Sequence, residues 1–246
     1  MKKRALILGA KSAIGQSLAK RLAIEGYDLV LAARNKEDLL PFVSDLQIRY
    51  SSESFLIGFD ALNTDELSSF PKRVEQLSGP VNLAILVYGY LGDQNEGEKT
   101  TKEMLKILNT NFTSAALILG HLANYFEEKG KGGIIGISSV AGDRGRKSNY
   151  LYGASKGALT IFLQGLRSRL QPKDIHVLTV KPGFVDTPMT KGIKGLFLVA
   201  SPDRVAIDIL KAYLKKQDVI YTPWFWKWIL LIIRLIPEKI FKRLSL

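Results

Sequence analysis

Seven apolar runs separated by helix-like stretches are the feature that most narrows what this chain can become. The runs are "RALILGA" (4–10), "DLVLAAR" (28–34), "SFLIGFD" (54–60), "NLAILVYG" (82–89), "GGIIGISS" (132–139), "IHVLTVKPG" (175–183) and "DVIYT" (218–222). A short continuous apolar run suits a parallel strand covered on both faces. Between them lie helical patterns at 13–26, 36–50, 64–78, 101–129, 150–170 and 202–216, the first closing at Gly26. This βαβα alternation specifies a doubly wound, seven-stranded parallel sheet with helices on both faces. A chain of 246 residues suits one such α/β domain, read here as 1–222, with a compositionally distinct tail at 223–246.

Composition removes several classes of function. Hydrophobic residues make up 46% and charged residues 24%, which supports a sizeable core and argues against disorder. There is no cysteine, so disulfides and thiolate metal sites are excluded; two histidines far apart in sequence, His121 and His176, give no zinc set. The expectation is no metal, and a cytoplasmic protein. "MKKRALILGA" is basic and then apolar, but its apolar part is too short for a leader and reads as a strand. The net charge of +12 attracts nucleic acid, anionic lipid or phosphorylated ligands. No nucleic-acid-binding motif is evident, so the expectation is no nucleic-acid partner.

The first run enters a glycine turn, "GAKSAIGQ" (9–16). Between a strand and a helix, such a turn presents free backbone N–H groups at the positive end of the helix dipole, a site that suits a diphosphate. Gly9 permits the turn and Gly15 permits close helix–strand packing; Gly9, Lys11, Ser12, Ile14 and Gly15 are the candidate cofactor residues here. The end of the second run is the next test. An acidic residue there would favour NAD. The chain instead has Arg34 and Asn35, and a guanidinium can fork onto a ribose 2′-phosphate, with Lys11 in reach of the same group. NADP(H) is the expected cofactor.

In "NYLYGASKGAL" (149–159), Tyr152 and Lys156 stand four apart and share a helix face. A free phenol titrates near 10, and an adjacent ammonium favours its ionised form, so the pair can act as general acid or base. By itself this spacing is common on helix surfaces. Context changes its weight. Ser139 ends the fifth run, at the sheet edge where α/β ligands bind, and Asn111 lies on the long helical stretch before it. Taken in order, "GAKSAIG", "FDA" (59–61), "NTNF", "ISSVAG", "YGASK" and "KPGFVDTPM" (181–189) closely resemble the short-chain dehydrogenase/reductase family, over nearly all of residues 3–222.

That resemblance implies a Rossmann-like fold and a set of roles. Tyr152 gives or takes the proton. Lys156 lowers its pKa and holds the nicotinamide ribose. Ser139 bonds the reacting oxygen, and Asn111 secures a water linking Lys156 to solvent. Asp60 and Ala61 border the adenine; Pro182, Gly183, Val185 and Thr187 line the nicotinamide side. Ser138 and Tyr150 do not fit the spacing and are read as structural. Two departures stand out: Ala13 replaces the family's second turn glycine, and "LVYG" (86–89) replaces Asn-Asn-Ala-Gly, leaving Gly89 as its matching residue. Both histidines read as packed residues.

"AALILGHLA" (115–123) and "GALTIFLQGL" (157–166) are apolar nearly all round, which implies a partner subunit on a second face. The resemblance implies the same, a homodimer or homotetramer. The tail segment "WFWKWILLIIRLI" (224–236) is shorter than the roughly 20 apolar residues that a span needs, and Pro237 ends it. Over 224–246 five basic residues, Lys227, Arg234, Lys239, Lys242 and Arg243, face the single acid Glu238. Aromatic plus basic residues suit an interfacial helix at the inner face of an anionic membrane. Folding over the substrate cleft or into an oligomer contact stays open, and these can coexist. "YGYLGDQ" (88–94) together with this tail is similar to the reductases acting on a 2-keto sugar carried by a polyprenyl phosphate, as in the decaprenylphosphoryl branch, which points to a lipid-linked or otherwise apolar carbonyl substrate. Segments 91–100, 143–149 and 188–200 are expected to frame its pocket. A catalytically idle nucleotide-binding scaffold and a membrane-peripheral protein of the same fold are the alternatives.

Overall fold

Each apolar run becomes one strand of a single sheet in the computed structural model, which describes residues 2–191 and 198–244. In chain order the elements are β1 (Arg4–Leu8), α1 (Ala13–Ile24), β2 (Asp28–Ala33), α2 (Leu40–Tyr50), β3 (Ser54–Gly58), α3 (Phe70–Ser78) and β4 (Leu83–Leu86). There follow α4 (Gln94–Lys99), α5 (Thr101–Leu108), α6 (Ser114–Lys129), β5 (Gly133–Ile137) and α7 (Tyr150–Leu170). The chain then runs through β6 (His176–Pro182), α8 (Pro202–Leu214), β7 (Val219–Thr222), α9 (Trp226–Leu235) and α10 (Glu238–Phe241).

The strands pair in parallel in the order β3-β2-β1-β4-β5-β6-β7. Alternate residues of one strand point to opposite faces, and the core divides accordingly. Ala5 and Ile7 of β1 pack with Leu18 and Leu22 of α1 and Val205 and Ile209 of α8. Leu6 and Leu8 of the same strand pack with Phe70 of α3, Ile118 and Leu122 of α6, and Leu159 and Leu163 of α7. Leu6, Leu31 and Phe126 are fully buried, so truncating one of them to alanine costs about 2–5 kcal/mol. The chain leaves β1 for β2 and β3 on one side, then returns to β4 on the other. That reversal opens a crevice at the C-terminal ends of β1 and β4, where doubly wound sheets bind ligands.

Several element bounds differ from the sequence expectation. The single helix expected over 101–129 is α5 and α6 joined by a π turn at Asn109–Thr113. Residues 91–100, expected to frame the substrate pocket, contain α4, started by the Asp93 carboxylate accepting from the Glu96 N–H. The strand expected over 82–89 stops at Leu86, and the tail helix expected from 224 begins at Trp226.

The tail folds back on the domain. Trp226 and Leu230 of α9 are buried against Val140, flanked by Phe184, Tyr221 and Ile233. The opposite side of α9, with Trp224 just before it, stays bare: Trp224 and Leu235 are 66% and 73% exposed, and Trp228, Leu231 and Ile232 are exposed with them. Among the described residues, no helix is long and apolar enough to cross a membrane.

Candidate active site

The chain turns sharply where β1 ends. Gly9 takes a φ of +94, and a Cβ there would lie 2.7 Å from the Tyr88 backbone nitrogen, so only glycine fits. Ser12 then starts α1: its hydroxyl accepts from the Gly15 N–H (3.1 Å) and donates to the Gly9 carbonyl (2.9 Å). Gly15 lies against this turn rather than against a strand, since a Cβ would stand 2.8 Å from the Gly9 carbonyl oxygen. Ile14 packs at the edge of the core.

A cleft of about 590 Å³ occupies the crevice. Gly9, Lys11 and Ser12 form one wall, with Arg34 and Asn35 beside them; Asp60 and Ala61 lie across, with Gly89 on the β4 side. Eight candidate cofactor residues thus share one cavity. The Asp60 carboxylate accepts from the Leu62 N–H (3.0 Å), which shapes the loop after β3. Lys11 is engaged with Asp38, Lys106 stands 4.2 Å from the Tyr90 ring centre, and Arg34 is the third cation lining the cleft. Phe59, Tyr88, Tyr90, Lys106, Thr110 and Met189, to which the sequence assigned no individual role, also line the cleft. Lys106 and Thr110 stand four apart, one helical step, a signal that was available; Met189 closes the motif at 181–189 and falls in the expected pocket frame 188–200.

Lys156 lies just behind Gly89, where a Cβ would be 3.4 Å from its Nζ. The ammonium is buried and donates to the Ile137 carbonyl oxygen at the end of β5 (3.1 Å). Burial pushes it down from 10.5 to about 8. Its Nζ stands 5.8 Å from the centre of the Tyr152 ring. Burial raises the Tyr152 phenol to about 12, opposed by a hydrogen bond from Ser139. Sequence reasoning expected Lys156 to lower this phenol. In the structure desolvation outweighs every other influence on both groups, because the cation lies over the ring side and spends a proton on Ile137. Ser138, one residue earlier, donates to the Lys156 carbonyl (2.8 Å) and bonds Thr160 (2.7 Å), fastening α7 at the lysine.

Asn111 sits in the π turn. Its Oδ1 accepts from the Tyr90 N–H (2.9 Å), and its Nδ2 donates to the carbonyls of Tyr90 (2.7 Å) and Ile107 (2.9 Å). The amide is therefore engaged in clamping the strand β4 exit, with one lone pair of Oδ1 still able to accept. The Tyr90 hydroxyl in turn donates to Glu103 (2.8 Å).

The loop after β6 is placed differently from the rest. Pro182 ends the strand, the Gly183 N–H bonds the Thr222 carbonyl (3.0 Å), Val185 bridges to Ala200, and Thr187 bonds Thr190 (3.2 Å). The cleft takes Met189 from this loop, and not these four. A Cβ on Gly183 would lie 1.9 Å from the Trp226 indole nitrogen, so the tail covers this glycine. Residues 192–197, inside the expected pocket frame 188–200, lie outside the described residues. His121 is half-buried on α6, and His176 stacks on Tyr213 in β6.

A cleft at the switch point whose floor adjoins a buried amine and a hydroxyl-bonded phenol defines a nucleotide-dependent oxidoreductase. The chain belongs to the short chain dehydrogenase family, whose model matches residues 3–195. It is 34% identical to an uncharacterized oxidoreductase of Mycobacterium tuberculosis (strain ATCC 25618 / H37Rv), covering 97% of this chain and 96% of the relative. It is 28% identical to the 3-oxoacyl-[acyl-carrier-protein] reductase of Bos taurus over 78% of this chain and 80% of that one. A short-chain dehydrogenase from Sphingobium yanoikuyae, solved in complex with NADPH, superposes with a TM-score of 0.84 at 26% identity, covering 94% of this chain and 92% of that one.

Proposed function

We propose that this protein is an NADP(H)-dependent carbonyl reductase in which residues 1–222 bind the cofactor and Tyr152 supplies the proton. One observation carries the reading: the Lys156 ammonium lies immediately beyond Gly89, which lines the nucleotide cleft, and the ring of the Ser139-bonded Tyr152 is centred 5.8 Å from that ammonium. The cleft fits the cofactor. The Gly9 turn leaves no room for a side chain, and Arg34 offers a guanidinium to a 2′-phosphate. The NADPH bound by the Sphingobium yanoikuyae dehydrogenase agrees with this, and the acyl reductase name of the bovine relative supports a carbonyl as the oxidised substrate.

The nicotinamide supplies the hydride when bound. The protein's residues do the rest. Ser139 holds the carbonyl oxygen. Tyr152, neutral at pH 7 because burial holds its phenol near 12, gives that oxygen a proton as the carbon is reduced. Lys156 then offers its ammonium proton to the phenolate and orients the ribose hydroxyls. Tyr152→Phe removes the donor, and turnover of a responsive ketone is expected to fall by about 100-fold or more, since positioned acids contribute 10²–10⁴-fold. Undiminished turnover in that variant, followed by NADPH absorbance, would sink the assignment.

The substrate is bulky and apolar, and lipid-linked sugars belong in the screen. The bare side of α9 supports this. Trp224, Trp228, Ile232 and Leu235 are exposed beside Lys227 and Arg234, with Lys239, Lys242 and Arg243 just beyond. Apolar surface rimmed by cations suits an anionic bilayer rather than a neutral one. Phosphatidylglycerol vesicles are expected to pellet the protein, phosphatidylcholine vesicles to leave it in solution, and Trp228→Ser with Leu235→Ser to abolish pelleting. Pelleting by neither vesicle, or a change of oligomeric state in the double variant instead, would remove the membrane from the reading, and equal pelleting by both would remove the anionic preference. A second copy pairs elsewhere, through the outer sides of α6 and α7, where Leu117 and Ile161 are exposed beside Gly120 and Gly165.

A further inference from the structure

The segment that carries Ser139 is held between two helices, one of which belongs to the tail. After Ser139 the chain makes a short 3₁₀ turn, Val140–Asp143, in which the Ser139 hydroxyl accepts from the Ala141 N–H (3.1 Å) and the Ser139 carbonyl accepts from the Gly142 N–H (3.1 Å). On one side this turn touches α7. A Cβ on Gly142 would lie 2.6 Å from the Gly157 nitrogen, one residue after Lys156. On the other side Val140 is packed against Trp226 and Leu230 of α9.

Two consecutive charged residues fasten its far end. Asp143 accepts from the Lys181 Nζ (2.5 Å) and the Tyr221 hydroxyl (2.6 Å), which ties it to β6 and β7. Arg144 reaches in the opposite direction. Its Nη1 donates to the carbonyls of Ile233 (2.7 Å), Arg234 (3.0 Å) and Ile236 (2.7 Å), and its Nη2 donates to Glu238 (3.0 Å). The guanidinium carbon also lies 3.8 Å from the Phe241 ring centre. One guanidinium therefore satisfies the orphan carbonyls and the negative dipole end of α9, and bridges to α10. These contacts use the donors of a residue five places from Ser139, and they are spent on the tail.

We infer that Arg144 is a positioning residue for the Ser139 hydroxyl, and that the tail is part of the catalytic apparatus rather than an appendage. Its cap on α9 closes the tail over the Ser139 turn and sets the hydroxyl at the distance from Tyr152 that carbonyl polarisation needs. Reaction geometry is steep, so a loosened hydroxyl lowers turnover while the nucleotide cleft, which neither Ser139 nor Arg144 lines, is left intact. The inference rests on the proposed role of Ser139, and its test includes a readout that needs no turnover.

The experiment compares wild type, Arg144→Met and Arg144→Lys as full chains. Hydrogen exchange is expected to speed up about tenfold at the Ala141 and Gly142 amides in Arg144→Met, to stay unchanged in β1, and to recover in part in Arg144→Lys, which keeps a cationic donor. With saturating NADPH and a ketone from the screen, kcat is expected to fall about tenfold while KM for NADPH stays within about twofold; in a Ser139→Ala background the same change has no further effect. Unchanged exchange at 140–142, acceleration spread evenly over the chain, or a fall in kcat that multiplies with that of Ser139→Ala would overturn it. Should Arg144→Met fail to fold, Phe241→Leu removes the stacking alone and carries the same test at about a threefold effect. If wild type reduces no ketone at all, the reductase reading fails, and the exchange pattern still decides whether Arg144 holds the turn.

Discussion

Replacing Lys156 by methionine is expected to stabilise the fold while removing turnover. Burial lowers this lysine from 10.5 to about 8. At pH 7 the side chain is charged in both the folded and the unfolded chain, so the folded state carries the whole mismatch. About 1.4 kcal/mol per pH unit over this interval gives roughly 3 kcal/mol. Methionine fills a similar volume without charge but forfeits the bond to the Ile137 carbonyl, worth about 1 kcal/mol. The net gain is about 2 kcal/mol. Its pH dependence follows from the sign of the shift. The folded-state value lies below the unfolded one, so wild-type stability rises as pH climbs from about 8 toward 10.5. The advantage of the variant should therefore shrink between pH 7 and pH 10. Urea unfolding of both proteins at the two pH values reads this directly, provided the m-values agree. A variant less stable than wild type at pH 7, or a gap equal at both pH values, would refute the reasoning.

In kinetics, kcat/KM for NADPH is expected to be flat below about pH 8 and to fall above it as Lys156 loses its proton; a profile flat to pH 9.5 would contradict an ammonium facing the cofactor. Arg34→Ser should cut the preference for NADPH over NADH by about tenfold, measured as the ratio of their kcat/KM values, since a fork onto a phosphate is lost; an equal loss with both cofactors would show that Arg34 does not read the 2′-position. Gly183→Ala places a methyl 1.9 Å from the Trp226 indole nitrogen, and overpacking of this kind costs about 1–3 kcal/mol. Thermal unfolding should show that loss and its partial recovery with Trp226→Leu; a neutral Gly183→Ala would mean the tail does not press on the loop.

What sequence reveals here is what is local. The strands were legible because a parallel strand buried on both faces must be apolar nearly throughout, as β5 is and as β1 and β2 are after Arg4 and Asp28. α7 was legible to the residue, because Asn149 and Gln171 bracket an uninterrupted helical pattern. The π turn was not: an i→i+5 bond leaves no residue signature, and "NTNF" reads equally well as α-helix. Within the site, Tyr152 and Lys156 were legible from spacing on one helix. The direction of their titration was not, because it depends on how completely α7, β5 and the Ser139 turn exclude water. The engagement of Lys11 with Asp38 and the grip of Arg144 on α9 pair residues distant in sequence, and no periodic pattern announces such a meeting.

The π turn has a consequence for how this helix can change. One extra residue per turn displaces everything upstream by about 100° around the axis. Deleting any residue from 109–113 would give α5 and α6 a regular, better-bonded backbone, yet it would swing Lys106 off the cleft side and carry Glu103 away from the Tyr90 hydroxyl. The imperfection is thus a phase setting between two stretches of helix that serve different masters, the sheet behind and the crevice in front, and drift toward a smoother helix is barred by the first step.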